Sequence, residues 1–147
     1  PPGSAEAPLS KETRRARELG AMIVVAHGET LVEPVERGTT LAAIEAGVDV
    51  LAHPGLITAE EARLAGEKGV LLEITTRAGH GYTNGHVAAM ARAHGAKLVV
   101  NNDAHAPRDL VDGDLRRRIA LGCGMTADEY LHADGHAWAL VSRSLSL

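Results

Sequence analysis

The chain predicts an α/β domain on a parallel sheet, and three observations carry that expectation. Four short apolar runs, near residues 22–26, 48–52, 70–75 and 97–102, are each preceded by a helical segment that ends in glycine, at Gly20, Gly47, Gly69 and Gly95. The runs are continuously apolar rather than alternating, as parallel strands covered on both faces are. Three of the four end in chemistry: Ala26-His27-Gly28-Glu29, Ala52-His53-Pro54-Gly55 and Asn102-Asp103-Ala104-His105. Sites in parallel folds gather at the carboxyl ends of strands, so His27, His53, Asp103 and His105 are expected to share one.

In chain order, residues 1–9 read as a lead-in, and Ser10 caps a helix over Lys11–Leu19. The first strand delivers His27, and Pro34 breaks the stretch from Glu29 to Gly38 into a loop. Thr39 or Thr40 opens a short helix to Ala46, and the second strand delivers His53 before a Pro-Gly turn. Thr58-Ala59-Glu60-Glu61 is a capping box for a helix to Lys68. The third strand carries Glu73 inside an apolar run, and a long polar loop leads to Asn84, which caps a helix to His94. After the fourth strand, Pro107 suits the start of a helix to about Leu121, and Thr126 with Glu129 opens a last short one.

Composition bounds the function. At 147 residues, 45% hydrophobic and 23% charged, residues 1–147 are expected to make one folded domain. A net charge of -4 and only 2% aromatic residues argue against a nucleic-acid surface, which wants cations and stacking platforms. Cys123 stands alone, so it reads as a small buried hydrophobe in a reducing, cytoplasmic setting. No run reaches the roughly 18 apolar residues of a membrane span. The start has no signal-peptide layout and no Met, which reads as processing or as the later part of something longer.

His, Asp and Glu at converging strand ends are the donor set for zinc, manganese or iron. Glu29, two residues past His27, is a candidate to orient a ligand or approach the metal, and a charge at Glu73 is either paired or turned to the site. Arg77, His80 and Asn84 are candidates to hold an anionic substrate. Asn101 and Asn102 are expected to satisfy loop backbone groups. His86, His94, His132 and His136 are expected at the surface, and Arg116-Arg117-Arg118 on a solvated helix face.

With these residues in view, the sequence resembles the PHP family, named for polymerase and histidinol phosphatase. The resemblance runs from about Arg14 to Leu121 on Val25-Ala26-His27-Gly28-Glu29-Thr30, Leu51-Ala52-His53-Pro54-Gly55-Leu56-Ile57-Thr58, Leu72-Glu73-Ile74-Thr75-Thr76-Arg77, Gly79-His80 with Thr83-Asn84, and Asn102-Asp103-Ala104-His105. It implies the later part of a distorted seven-stranded TIM-like barrel, lacking the amino-terminal strands and their His-x-His motif. It also implies up to three divalent metals, with His27 and His53 on one, Asp103 on a second and His105 on a third. The implied activity is metal-activated hydrolysis of a small phosphomonoester, with Glu29 and Glu73 assisting. The alternatives are a nuclease-type or polymerase-associated domain and a non-catalytic metal-binding fragment. A barrel without its opening strands is expected to self-associate or to pair with the missing amino-terminal part.

Overall fold

The computed structural model describes residues 7–145, so part of the expected lead-in, residues 1–6, lies outside the described residues. Four parallel strands lie in the order β1-β2-β3-β4, formed by Val25–Glu29, Val50–Gly55, Leu71–Thr75 and Leu98–Asn101. The helices are α1 (Pro8–Glu18), α2 (Thr39–Ala46), α3 (Ala59–Lys68), α4 (Asn84–His94), α5 (Gly113–Gly122) and α6 (Ala127–Leu145). The α/β class with four parallel strands is therefore present. Among the described residues the sheet is open, with β1 and β4 at its edges.

Several boundaries move, each for a local reason. The first helix starts at Pro8 rather than Lys11, because proline suits the first helical position. β1 and β2 begin later than expected and run on through their histidines, since Gly28 and Gly55 let the two backbones close on each other past the strand ends. A Cβ at Gly28 would lie 2.4 Å from Pro54 Cα, and Gly55 holds φ +67 against the Glu29 carbonyl. The polar loop after β3 winds into a 3-10 turn over His80–Thr83. Pro107 starts only a 3-10 turn to Asp109, and α5 begins afresh where Asp112 accepts from Leu115 N at 2.8 Å. The last helix is not short: α6 has 19 residues and opens on the reciprocal Thr126 and Glu129 caps.

Strand alternation divides the core into two layers. Leu51, Leu72, Ile74, Leu98 and Val100 pack with Ala43, Ile44, Ala62, Ala65, Val87 and Ala91 of α2, α3 and α4. Each fully buried Leu or Ile there contributes about 2 kcal/mol. Val50, Leu71 and Val99 face the other way and meet Ala137 and Leu140 of α6. His27 pairs in register with Ala52, Glu73 with Val99 and Thr75 with Asn101, so the strand ends offer polar side chains on the face that α6 covers.

Asp49 ties this layout together. Its Oδ2 accepts from Val24 N at 2.8 Å and pairs with Arg17 of α1, while Oδ1 takes Arg143 of α6 at 2.6 Å. Burial raises its pKa, but the Val24 N–H and the two guanidiniums outweigh that and hold it below the usual carboxylate range.

Cys123 is half-buried beyond α5, where burial pushes its thiol pKa up, as a packing cysteine's is. No described helix is long and apolar enough to cross a membrane.

Candidate functional site: a histidine and carboxylate cluster at the strand ends

His53, in the second half of β2, and Asp103, two residues beyond β4, have positive φ, 32° and 45°. Neither is glycine, so each conformation costs about 1 kcal/mol or more, and such strain collects where side-chain placement matters. At His53 the cost is met by Glu73, which is 3% exposed. Its Oε2 accepts from His53 N at 2.7 Å and lies 3.0 Å from His53 Nδ1, so the strand carboxylate is paired and fixes the imidazole's outward nitrogen.

That outward nitrogen, His53 Nε2, lies 3.0 Å from His27 Nδ1. Two imidazoles on one tetrahedral zinc hold their nitrogens about 3.3 Å apart. A shared ion therefore needs these rings to part by only a few tenths of an ångström. Glu33 reaches the same point from the loop after β1, with Oε2 3.8 Å from His27 Nδ1 and Oε1 3.1 Å from His80 Nε2. The hydrogen bond to His80 leads the effects that draw Glu33 below its ordinary pKa, with His27 and His53 adding to it. His80 stacks edge-on against His53, centroids 4.8 Å apart, and its Nδ1 is buried without a hydrogen-bond partner among the described residues.

Among the described residues, two sets have donor atoms close enough for a cation: His27, Glu33 and His53, and His53, His80 and Asp103. The structure thus brings together His27, His53, Asp103, Glu73 and His80, and adds Glu33, which lies in a loop without periodicity and left no sequence signal beyond its type. Three expected members point elsewhere. Glu29 accepts from Gly38 N at 2.8 Å and so closes its own loop. His105 is largely exposed and turns its Nδ1 back to the Asp103 carbonyl at 2.7 Å. Asn84 spends its amide on the backbone of Thr75, accepting from Thr75 N at 3.1 Å and donating to Thr75 O at 2.8 Å. Arg77 lies in the cluster, but its guanidinium is on Asp103.

Three residues expected at the surface, Arg116, His136 and His86, are half-buried instead. Arg116 turns inward, giving Nη2 to Val100 O at 2.9 Å and Nη1 to Asp134 at 2.6 Å and Tyr130 Oη at 2.8 Å. His136 is half-buried with Nδ1 on Leu98 O at 2.8 Å, and His86 is half-buried with Nε2 on Ile57 O at 2.7 Å. Buried carbonyls need partners, and these side chains supply them.

No protein-family model matches the chain. An uncharacterized protein of Methanocaldococcus jannaschii, MJ1295, is 48% identical over 122 residues, which is 82% of this chain and 56% of that protein. The fold is similar to that of a chain in the cryo-EM structure of archaeal ribonuclease P with mature tRNA, with a TM-score of 0.72, 16% identity, and coverage of 96% of this chain and 65% of the other. The chain therefore spans just over half of that relative and just under two thirds of that structure's chain.

These comparisons correct the resemblance drawn from the motifs. Membership of the PHP family is overturned, because no family model matches and the likeness in fold leads to a ribonuclease P chain. The phosphoesterase activity and the enzyme assignment that hung on that resemblance fall with it. So does the disfavouring of nucleic acid, since the structure of similar fold is an assembly with tRNA. The physical reason is that parallel strands expose their carboxyl ends in any such fold, so ordered histidines and aspartates there do not by themselves name a chemistry.

Proposed function

We propose that this chain is a protein component of an RNA-processing assembly, which holds and positions RNA and leaves the chemistry to other parts. The observation that supports this most is the correspondence in fold with the ribonuclease P chain along 96% of the length. A net charge of -4 restricts the contact to a local one. The suitable place lies beyond β4, where Arg108 and Arg117 are exposed and form no salt bridge among the described residues, with Arg118 on the same helix. Arg77 and Arg116 are engaged inside and do not count toward it. Reading the sheet as the later part of a βα barrel belongs to this proposal and rests on the parallel strand order and the uncovered β1 edge.

The test is gel retardation of a precursor tRNA across a salt series. Three phosphate contacts give a slope of log affinity on log salt of about −2. Replacing Arg108, Arg117 and Arg118 with Gln should flatten the slope and remove most binding. Absence of any complex at low salt, or a slope unchanged in the triple variant, contradicts the proposal.

A second reading is favoured by the unpartnered His80 Nδ1: the cluster holds a divalent zinc, manganese or iron ion through His27, Glu33 and His53, or through His53, His80 and Asp103. Its role here is to neutralise converging carboxylates and lock the strand ends. Elemental analysis should find metal in the purified chain, chelation should lower the melting temperature, and His27→Ala with His53→Ala should reduce metal content. Unchanged stoichiometry in that double variant contradicts the assignment.

A further inference from the structure

Beside the carboxyl end of β4 lies a polar cavity of about 280 Å³, separate in its lining from the histidine cluster. Its wall is Thr76, Val100, Asn101, Asn102, Val111 and Arg116. Asn101 serves the sheet through its carbonyl, which accepts from Thr76 N at 2.8 Å, so it is the side chains of Asn101 and Asn102 that are uncommitted among the described residues. The loop backbone groups they were expected to satisfy are taken by Asp109, whose Oδ2 accepts from His105 N and Ala106 N, each at 2.9 Å. Neither side-chain amide has a hydrogen-bond partner among the described residues. Arg116 is the reverse case, pinned by Val100 O, Tyr130 and Asp134 and set with its guanidinium 5.3 Å over the Tyr130 ring.

We propose that this cavity receives one unpaired adenine base of RNA. The inference rests on the RNA-binding reading above and names what that surface reads. A carboxamide offers a donor and an acceptor side by side, which matches the N6 and N7 edge of adenine. Asn101 and Asn102 on a lining without a carboxylate suit a neutral, planar, hydrogen-bonding group rather than a metal or a free phosphate. A guanidinium held rigid by its own partners can serve as the plane or edge against which a splayed base rests. The exposed Arg108 and Arg117 lie on the segments that follow Asn102, where cations can take the flanking phosphates.

The experiment measures binding of fluorescent single-stranded oligoadenylate and oligouridylate, with adenosine monophosphate followed by shifts of the asparagine side-chain amide resonances. Wild type should prefer oligoadenylate about tenfold. Asn101→Ala with Asn102→Ala should abolish the preference while keeping residual, salt-sensitive binding. Val111→Trp, which fills the cavity from a loop, should do the same without touching the amides. An adenine preference that survives in both variants, or none in wild type, overturns the proposal. If adenosine monophosphate shifts the amides while no oligonucleotide binds, RNA as the source is overturned. If RNA binds without base preference, only the base pocket fails and the broader RNA reading stands.

Discussion

The two edges of the sheet are finished in opposite ways. Along β4, Arg116 takes Val100 O, His136 takes Leu98 O, and α6 lies across the strand. Along β1, no hydrogen bond from outside the β1 and β2 ladder reaches the backbone of Val25, Ala26 or His27 among the described residues, and Val25 is 56% exposed. An exposed edge is a template for another strand, and a capped one is not. The difference teaches that helix side chains cap one side of this sheet, while the other carries no such caps among the described residues. The histidine cluster sits toward the open side and the asparagine cavity at the closed one.

The most damaging single change should fall between the edges, at the Glu73 and His53 pair. Glu73→Ala leaves the His53 N–H buried without an acceptor and should cost about 3 kcal/mol in urea unfolding. A loss below about 1 kcal/mol would mean that the pair is not what holds the strand end. Next, Arg116→Met removes the cap on Val100 O and the link to Asp134, and should cost about 2 kcal/mol. It should also make the β4 edge resemble β1 in hydrogen exchange. In the unaltered chain, amides of β1 should exchange faster than those of β4, and equal rates would erase the contrast.

The smallest effect is pH dependence. Hydrogen bonds from Arg92, then from Thr126 N, hold Glu129 at about 2, and Glu33 is also lowered. A carboxylate with a depressed folded pKa stabilises above its unfolded value near 4.3, and that contribution is lost as pH falls through the folded value. Stability should therefore decline from about pH 4.5 toward pH 2, modestly because both groups are solvent-screened. Arg92→Gln should flatten the Glu129 part. A curve that is flat in the parent chain across this range would contradict the pairing.

Much of this fold was legible because its signals are local. Gly47, Gly69 and Gly95 end helices in the left-handed conformation, and Thr58 with Glu61 forms the expected reciprocal cap. The parallel layer was visible in runs such as Val70 to Thr75, and His27, His53 and Asp103 were visible as strand-end residues. What escaped depends on contacts between distant segments. Glu33 reaches His80 across 47 residues and His136 reaches Leu98 across 38, and no spacing rule encodes either. Arg116 looks like its neighbours Arg117 and Arg118 until the fold supplies Val100 O. The functional class was misread because strand-end donors are shared by many parallel folds.

The central claim, contact with RNA at the closed edge, is tested most directly by photo-cross-linking. A precursor tRNA carrying thiouridine would be bound to the chain, irradiated and mapped by peptide mass spectrometry. The account predicts cross-links on the segment from Asn101 through Arg118, lost when Arg108, Arg117 and Arg118 are replaced by Gln. Cross-links confined to other elements, or none above the level of a non-binding control protein, would contradict it.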